Sequence, residues 1–135
     1  MLKLSKSVEY AIFAIKYLNY NTEDRLVSTK EISESMKIPY DLLAKIMQRL
    51  VKNDIVSSIQ GTKGGYYLTK PPGQINLTQI ISAVDSEIRL TDCLFDNATE
   101  EDCSRIGACS LRSPLNNLQN KIIKLFNSTT LEEII

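Results

Sequence analysis

The segment Ser28-Thr29-Lys30-Glu31-Ile32-Ser33-Glu34-Ser35-Met36-Lys37-Ile38-Pro39-Tyr40-Asp41-Leu42-Leu43-Ala44-Lys45-Ile46-Met47-Gln48-Arg49-Leu50 sets the architecture. Ser28 and Glu31 have the spacing of a capping box, in which two orphan N–H groups are satisfied reciprocally at a helix start. The box opens a short helix carrying Ile32 and Met36. Lys37-Ile38 reads as a tight turn. Pro39 suits the first position of the next helix, where its missing N–H costs nothing. Leu42, Leu43, Ile46, Met47 and Leu50 then form an apolar stripe at helical spacing, and Asn53 suits the C-terminal cap. Two short helices joined by a brief turn have the form of a helix-turn-helix.

The residues after this helix pair narrow the assignment. Val56-Ser57-Ser58-Ile59 alternates apolar and polar residues as a strand does, and Tyr66-Tyr67-Leu68 has strand propensity. Between them Gln60-Gly61-Thr62-Lys63-Gly64-Gly65 is a glycine-rich turn, so the segment predicts a β-hairpin. Helix, helix and hairpin with a basic, glycine-rich tip is the winged-helix order, and Pro71-Pro72-Gly73 ends the unit. The stripe on the second helix leaves Tyr40, Asp41, Ala44, Lys45, Gln48 and Lys52 facing outward. In a helix-turn-helix the second helix enters the major groove. There Tyr40 and Lys45 reach phosphates or bases, Gln48 pairs with adenine, and Asp41 accepts from cytosine or repels phosphate. The glycines around Lys63 let the backbone approach a phosphate closely and let Lys63 enter the minor groove. The candidate DNA contacts are therefore Ser28, Pro39, Tyr40, Asp41, Lys45 and Gln48 on the helix pair, and Gln60, Thr62, Lys63 and Gly64 on the wing. The bland alternatives are a solvated helix face and a plain hairpin turn.

Ahead of the pair, Val8, Ala11, Ile12, Ile15 and Leu18 give a buried face to a first helix over Ser7–Leu18. Tyr10, Phe13 and Tyr17 widen that face toward a second neighbour. Asn19 to Arg25 is a polar loop. Beyond the hairpin, Leu77, Ile80, Ile81 and Val84 mark a short helix from Thr78 to Asp85. Residues 86–111 lack periodicity, are acidic and hold all three cysteines; a loop this long calls for a functional reason. Ser113-Pro114 reads as an N-cap followed by proline. Leu115, Leu118, Ile122 and Leu125 then have 3-4-3 spacing, the seam of a helix that packs on an equivalent helix, here over 114–127. Thr130 and Glu133 offer another capping box and a last short helix. The fold expected is mainly α with a small β-hairpin. A winged helix-turn-helix domain occupies 1–72, a short helix and cysteine loop 73–112, and a dimerisation helix with a C-terminal helix 113–135.

The chain of 135 residues has no net charge, with 16 basic and 16 acidic residues. The balance is uneven along it: residues 1–72 carry 11 basic against 7 acidic side chains, and residues 73–135 carry 5 against 9. A basic front half and an acidic back half point to a polyanion facing the front half alone. There is no histidine, so no Ser-His or Cys-His nucleophile pair exists, and no Walker or Rossmann glycine loop is present. No catalytic residue is predicted, and no small-molecule substrate. The first apolar stretch is broken by Glu9, Lys16 and Asn19 and lacks a small-residue cleavage site, so neither a membrane span nor a signal peptide is read there. The expected location is the cytoplasm. Cys93, Cys103 and Cys109, an odd number at C-x9-C-x5-C spacing, point to metal or redox chemistry before structural disulfides. Thiolate sulfur is the usual protein ligand of iron–sulfur clusters. Zinc would need a fourth donor such as a carboxylate.

The wing Val56 to Leu68, the opening Leu4-Ser5-Lys6-Ser7-Val8-Glu9-Tyr10-Ala11 and the segment Ile80-Ile81-Ser82-Ala83-Val84-Asp85 resemble the Rrf-type winged helix-turn-helix regulators, the group that includes IscR and NsrR. The resemblance covers almost the whole chain. It implies a transcription regulator acting as an obligate homodimer on a double-stranded DNA operator, with a long crossing helix and, in many members, an iron–sulfur cluster of 2Fe-2S or 4Fe-4S type. Cys93, Cys103 and Cys109 match the cluster cysteines, although the first spacing is longer than in IscR-like chains. Where IscR-like chains place a histidine three residues after the last cysteine, this chain has Arg112, which stays protonated and cannot ligate. Other members take an acidic residue from the first helix of the partner subunit, and Glu9 aligns with it; Glu9 equally suits a first-turn acid favoured by the helix dipole. Asp92, Asp96 and Asp102 are further candidates for the fourth ligand. Gln60 replaces the arginine that IscR-type wings carry before the first wing glycine, so minor-groove readout shifts toward Lys63. The expected function is a cluster-controlled regulator, a repressor by preference. The alternatives are a cluster-free regulator switched by cysteine oxidation, a small iron–sulfur electron carrier, and a protein-interaction module whose hairpin binds protein.

Overall fold

A computed structural model describes residues 2–85 and 87–135. Among the described residues five helices are present: α1 (Lys6–Asn21), α2 (Thr29–Met36), α3 (Tyr40–Lys52), α4 (Leu77–Val84) and α5 (Arg112–Ser128). Strands β1 (Val56–Ile59) and β2 (Gly65–Leu68) form an antiparallel hairpin between α3 and α4. This is the winged-helix architecture, mainly α with one hairpin.

The apolar stripes converge on one core. From α1 come Val8, Ala11, Ala14, Ile15 and Leu18, and from α3 come Leu43, Ile46, Met47 and Leu50. Ile80 and Ile81 of α4, Ile75 before it and Leu131 near the end complete the cluster. Tyr10, Ile12, Tyr17 and Leu42 pack partly against it. Phe13 departs from the expected second face of α1, standing 46% exposed.

Several boundaries differ from expectation for local reasons. Helix α1 is longer at both ends than Ser7–Leu18, because the Ser5 hydroxyl accepts from the Val8 N–H and caps an earlier start. Pro39 is the N-cap of α3 and not its first residue; its backbone is non-helical, φ −55° and ψ 128°, and its carbonyl accepts from the Leu43 N–H at 3.0 Å. Helix α5 begins at Arg112, ahead of the expected Ser113 cap, with no side-chain cap. Pro114 is tolerated inside the first turn because N–H groups there have no partner in the helix. Helix α4 starts at Leu77 under a complete capping box of Asn76 and Gln79. The expected last helix is a single 3-10 turn, Leu131–Glu133, opened by the predicted Thr130 and Glu133 box.

The end of the chain returns to the winged unit. Leu131 N–H donates to Ile75 O at 2.8 Å, Leu77 N–H donates to Thr129 O at 3.0 Å, and Leu131 is fully buried. This backbone bridge ties the far end of α5 to the start of α4. A second bridge pairs Val27 with Tyr66 in both directions, at 3.2 and 2.8 Å, and braces the wing from the side.

Candidate nucleic-acid interface and cysteine loop

The helix pair is joined by a turn in which Lys37 takes left-handed backbone angles, φ 55° and ψ 46°. Ser28 accepts from the Glu31 N–H at 3.1 Å, as a capping serine does. The return half of the expected box is absent. The Glu31 carboxylate instead receives both terminal nitrogens of Arg25, at 2.6 and 2.8 Å, and the Tyr17 hydroxyl. The arginine fork and the tyrosine O–H hold the Glu31 carboxyl down at about 2, well below its ordinary 4.5. A depressed acid stabilises the fold above its unfolded pKa, and that contribution disappears as pH falls from about 4.5 to about 2. Glu31→Gln should therefore lower the melting temperature at pH 7, and the gap to the parent chain should close by pH 2. Because the pair is largely exposed, salt should shrink the effect.

Helix α3 buries Leu43, Ile46, Met47 and Leu50 and leaves Tyr40, Asp41, Lys45, Gln48 and Lys52 exposed, as its stripe dictates. Ala44 is half-buried. Arg49, near the end of α3, donates to the Val84 carbonyl at 2.9 Å and so joins α3 to the last turn of α4, where the cysteine loop begins. Sequence reasoning missed this link, since nothing local pairs residues 35 positions apart.

The wing tip spans residues 60–64, and Gln60, Gly61, Thr62 and Lys63 are all exposed. Gly61 has φ 116°, a conformation that side chains rarely adopt. Gly64 makes the close approach: a Cβ there would lie 2.0 Å from the Ile59 carbonyl oxygen. Its N–H closes the turn onto Gly61 O at 3.0 Å. The wing is tied to the start of the helix pair, because β2 pairs with Val27, the residue before Ser28.

Between α4 and α5 the described residues form turns and no helix or strand. The first part of this loop is nevertheless fixed. Buried Gln119 on α5 accepts from the Leu90 N–H at 2.8 Å and donates to the Leu94 carbonyl at 3.1 Å. Arg112 donates to the Cys93 carbonyl at 3.3 Å, and the Arg89 guanidinium lies over the Phe95 ring, 5.0 Å from its centre. Cys93 is consequently buried at 7% exposure, although the loop that holds it is acidic. Cys103 and Cys109 are half-buried, and all three are free thiols.

The three thiols supply the donor chemistry of a cluster without its converged geometry. Among the described residues no three His, Cys, Asp or Glu side chains stand together as a metal-ligating group. Of the acidic candidates, Asp102 accepts from the Thr99 N–H at 2.8 Å and is engaged in a turn. Asp92 and Asp96 are exposed. Glu9 pairs with Lys6 at 2.7 Å on the first turn of α1. That pairing gives Glu9 a local role without any ligand, and it raises the Lys6 pKa.

On α5 Gln119 is the one buried residue. Leu118 and Leu125 are 47% and 60% exposed, and Leu115 and Ile122 are half-buried, so the 3-4-3 seam lies open along the helix. No described helix is long and apolar enough to cross a membrane.

A helix-turn-helix with a braced, glycine-tipped wing, continuing into a cysteine loop and a long helix, defines a winged helix-turn-helix DNA-binding regulator. Residues 4–135 match the Rrf2 family, described as an iron-dependent transcriptional regulator, and the chain belongs to that family. It is 31% identical over 134 residues to the HTH-type transcriptional regulator IscR of Cronobacter sakazakii, covering 99% of this chain and 80% of that one. It is 29% identical over 134 residues to the regulator NsrR of Oceanobacillus iheyensis, covering 99% and 90%. Its fold matches that of CymR, the global cysteine regulator of B. subtilis, with a TM-score of 0.73 at 22% identity, over 99% of this chain and 96% of that one. The two sequence relatives are named as transcriptional regulators.

Proposed function

We propose that the chain is a cytoplasmic repressor that binds a two-half-site operator as a homodimer, and that an iron–sulfur cluster at Cys93, Cys103 and Cys109 sets its DNA affinity. The observation that carries this reading is the placement of all three free thiols on the one loop that joins α4 to α5. That loop is fastened at one end to α5 through Gln119 and Arg112, and its start is fastened to α3 through Arg49 and Val84. Anything that reorders the loop therefore acts on both the DNA-reading helix and the proposed dimer helix. When bound, a cluster would supply iron that responds to oxidants and to iron supply. Glu9 of a partner subunit is the fourth ligand proposed, released from its Lys6 pair. Anaerobic reconstitution with iron and sulfide tests the assignment. Visible absorbance should appear in the parent chain and vanish in each single Cys→Ala variant. A colourless parent chain would reject the cluster.

The unequal burial of the thiols favours a second reading. Cys103 and Cys109 are accessible while Cys93 is not. Hydrogen peroxide would oxidise those two thiols to a disulfide and be reduced to two waters. A colourless chain whose DNA affinity changes with peroxide would establish this switch.

For DNA contact, α3 presents Tyr40, Asp41, Lys45 and Gln48, with Ser28 and Pro39 at the helix starts, and the wing presents Gln60, Thr62, Lys63 and Gly64. Lys63→Ala should weaken binding to all sequences and lower the salt slope by about 1. Gln48→Ala should instead change preference between sequences. An unchanged salt slope in Lys63→Ala, read by fluorescence anisotropy, would count against the wing.

A further inference from the structure

A cavity of about 730 Å³ opens between α4, α5 and the cysteine loop, whose Ile106 and Cys109 are among the lining. That is within the roughly 300–1,000 Å³ of small-molecule sites. Two polar atoms on its facing walls are buried and have no hydrogen-bond partner among the described residues: Oγ1 of Thr78 on α4 and Nε of Arg112 on α5. Leaving such groups unpaired costs about 1–3 kcal/mol each, so each needs an explanation. Arg112 commits one terminal nitrogen to the Cys93 carbonyl, and its buried Nε–H is left without a partner.

The charges around the cavity narrow the guest. A simple anion would meet Arg112 but also the carboxylates of Glu87 and Asp96, which line the same space. A zwitterion satisfies both signs. The rest of the lining includes Phe95 and Ile123, which give an apolar wall beside the charged groups. The cavity is also separate from the open seam of α5. Arg112, Asn116 and Ile123 face it, and at about 3.6 residues per turn they point roughly 120° away from Leu118, Ile122 and Leu125.

We propose that this cavity binds an α-amino acid with a large apolar side chain. Its carboxylate pairs with Arg112 and the Thr78 hydroxyl, its ammonium faces Asp96 and Glu87, and its side chain lies against Phe95 and Ile123. Because Arg112 also holds the Cys93 carbonyl, occupancy reports directly on the start of the cysteine loop. Cys109 also lines the cavity, so the titration uses the metal-free chain, where binding is read apart from the cluster reading.

The test is isothermal titration of the full chain with reduced thiols and a chelator present, using L-leucine, L-methionine, L-phenylalanine, L-tyrosine and L-tryptophan. At least one should bind saturably at one per chain. Its analogues lacking the ammonium or the carboxylate should bind at least tenfold more weakly. Asp96→Asn, on the exposed loop, should weaken the amino acid at least fivefold and leave the deaminated acid unchanged. Ile123→Trp, which fills the cavity, should abolish binding. Arg112→Gln should do the same, and the two cavity variants decide the matter should that chain fail to fold. No heat with any of the five at 10 mM, equal binding of the analogues, or undiminished binding in Asp96→Asn and Ile123→Trp would overturn the proposal.

Discussion

A chain carrying both Leu118→Lys and Ile122→Lys should sediment as a monomer and lose at least tenfold in affinity for a two-half-site operator. Leu118 is 47% exposed in the single chain although it sits on the apolar stripe of a 17-residue helix, and Leu125 further along is 60% exposed. Exposed apolar residues at 3-4-3 spacing find their stability against an equivalent stripe. Two lysines in that seam would have to bury charge without a partner, at a cost of several kcal/mol. The far end of α5 is fastened to α4 through Leu131 and Ile75, so the winged unit should keep its fold, and circular dichroism checks that it does. A native-like dimer from the double variant would remove this seam as the interface. In the proposed dimer, half-site spacing would depend on the same geometry, because a dimer reads two half-sites about one helical turn apart.

Gly64→Ala should have the next largest effect. The added Cβ would stand 2.0 Å from the Ile59 carbonyl oxygen, a backbone atom that cannot move without unpairing the hairpin. A steric overlap of this kind costs about 1–3 kcal/mol. Here the cost falls on the wing and spares the core, which lies among α1, α3 and α4. The expected result is a melting temperature lowered by a few degrees, with DNA affinity down at least tenfold. Undiminished DNA binding in a folded Gly64→Ala chain would show that the tip does not need its close turn for contact.

The range of an interaction along the chain decided whether it was legible in the sequence. Leu43, Ile46, Met47 and Leu50 repeat at 3.6 residues, and the helix they predict is present with those residues fully buried. The Gly61 to Gly65 run marks a turn because few other residues tolerate its geometry, and the hairpin is there with Val56 opposite Leu68. The Pro39 and Ser113-Pro114 boundaries were off by one or two residues because proline fits both the cap and the first turn. Glu31 had the spacing of a capping box, but Arg25 and Tyr17 compete for its carboxylate, and a bidentate arginine outcompetes a single N–H. The ties that matter most for control are long-range. Gln119 reaches back to Leu90 and Leu94, Arg49 reaches forward to Val84, and Val27 pairs with Tyr66. No periodicity encodes a single polar contact between distant segments. For the same reason the burial of Cys93 was not legible, since it results from Gln119 and Arg112 pinning the backbone on either side of the thiol.

If the state of the cysteine loop sets DNA affinity, a DNA titration of the protein in two states will show it. The protein is either reconstituted with iron and sulfide or kept metal-free with reduced thiols, at one fixed salt concentration. The two preparations should differ at least tenfold in Kd, and the difference should collapse to none in Cys103→Ala, which keeps the fold. Equal affinity in a preparation whose absorbance proves the cluster is bound would refute control of DNA binding through the loop.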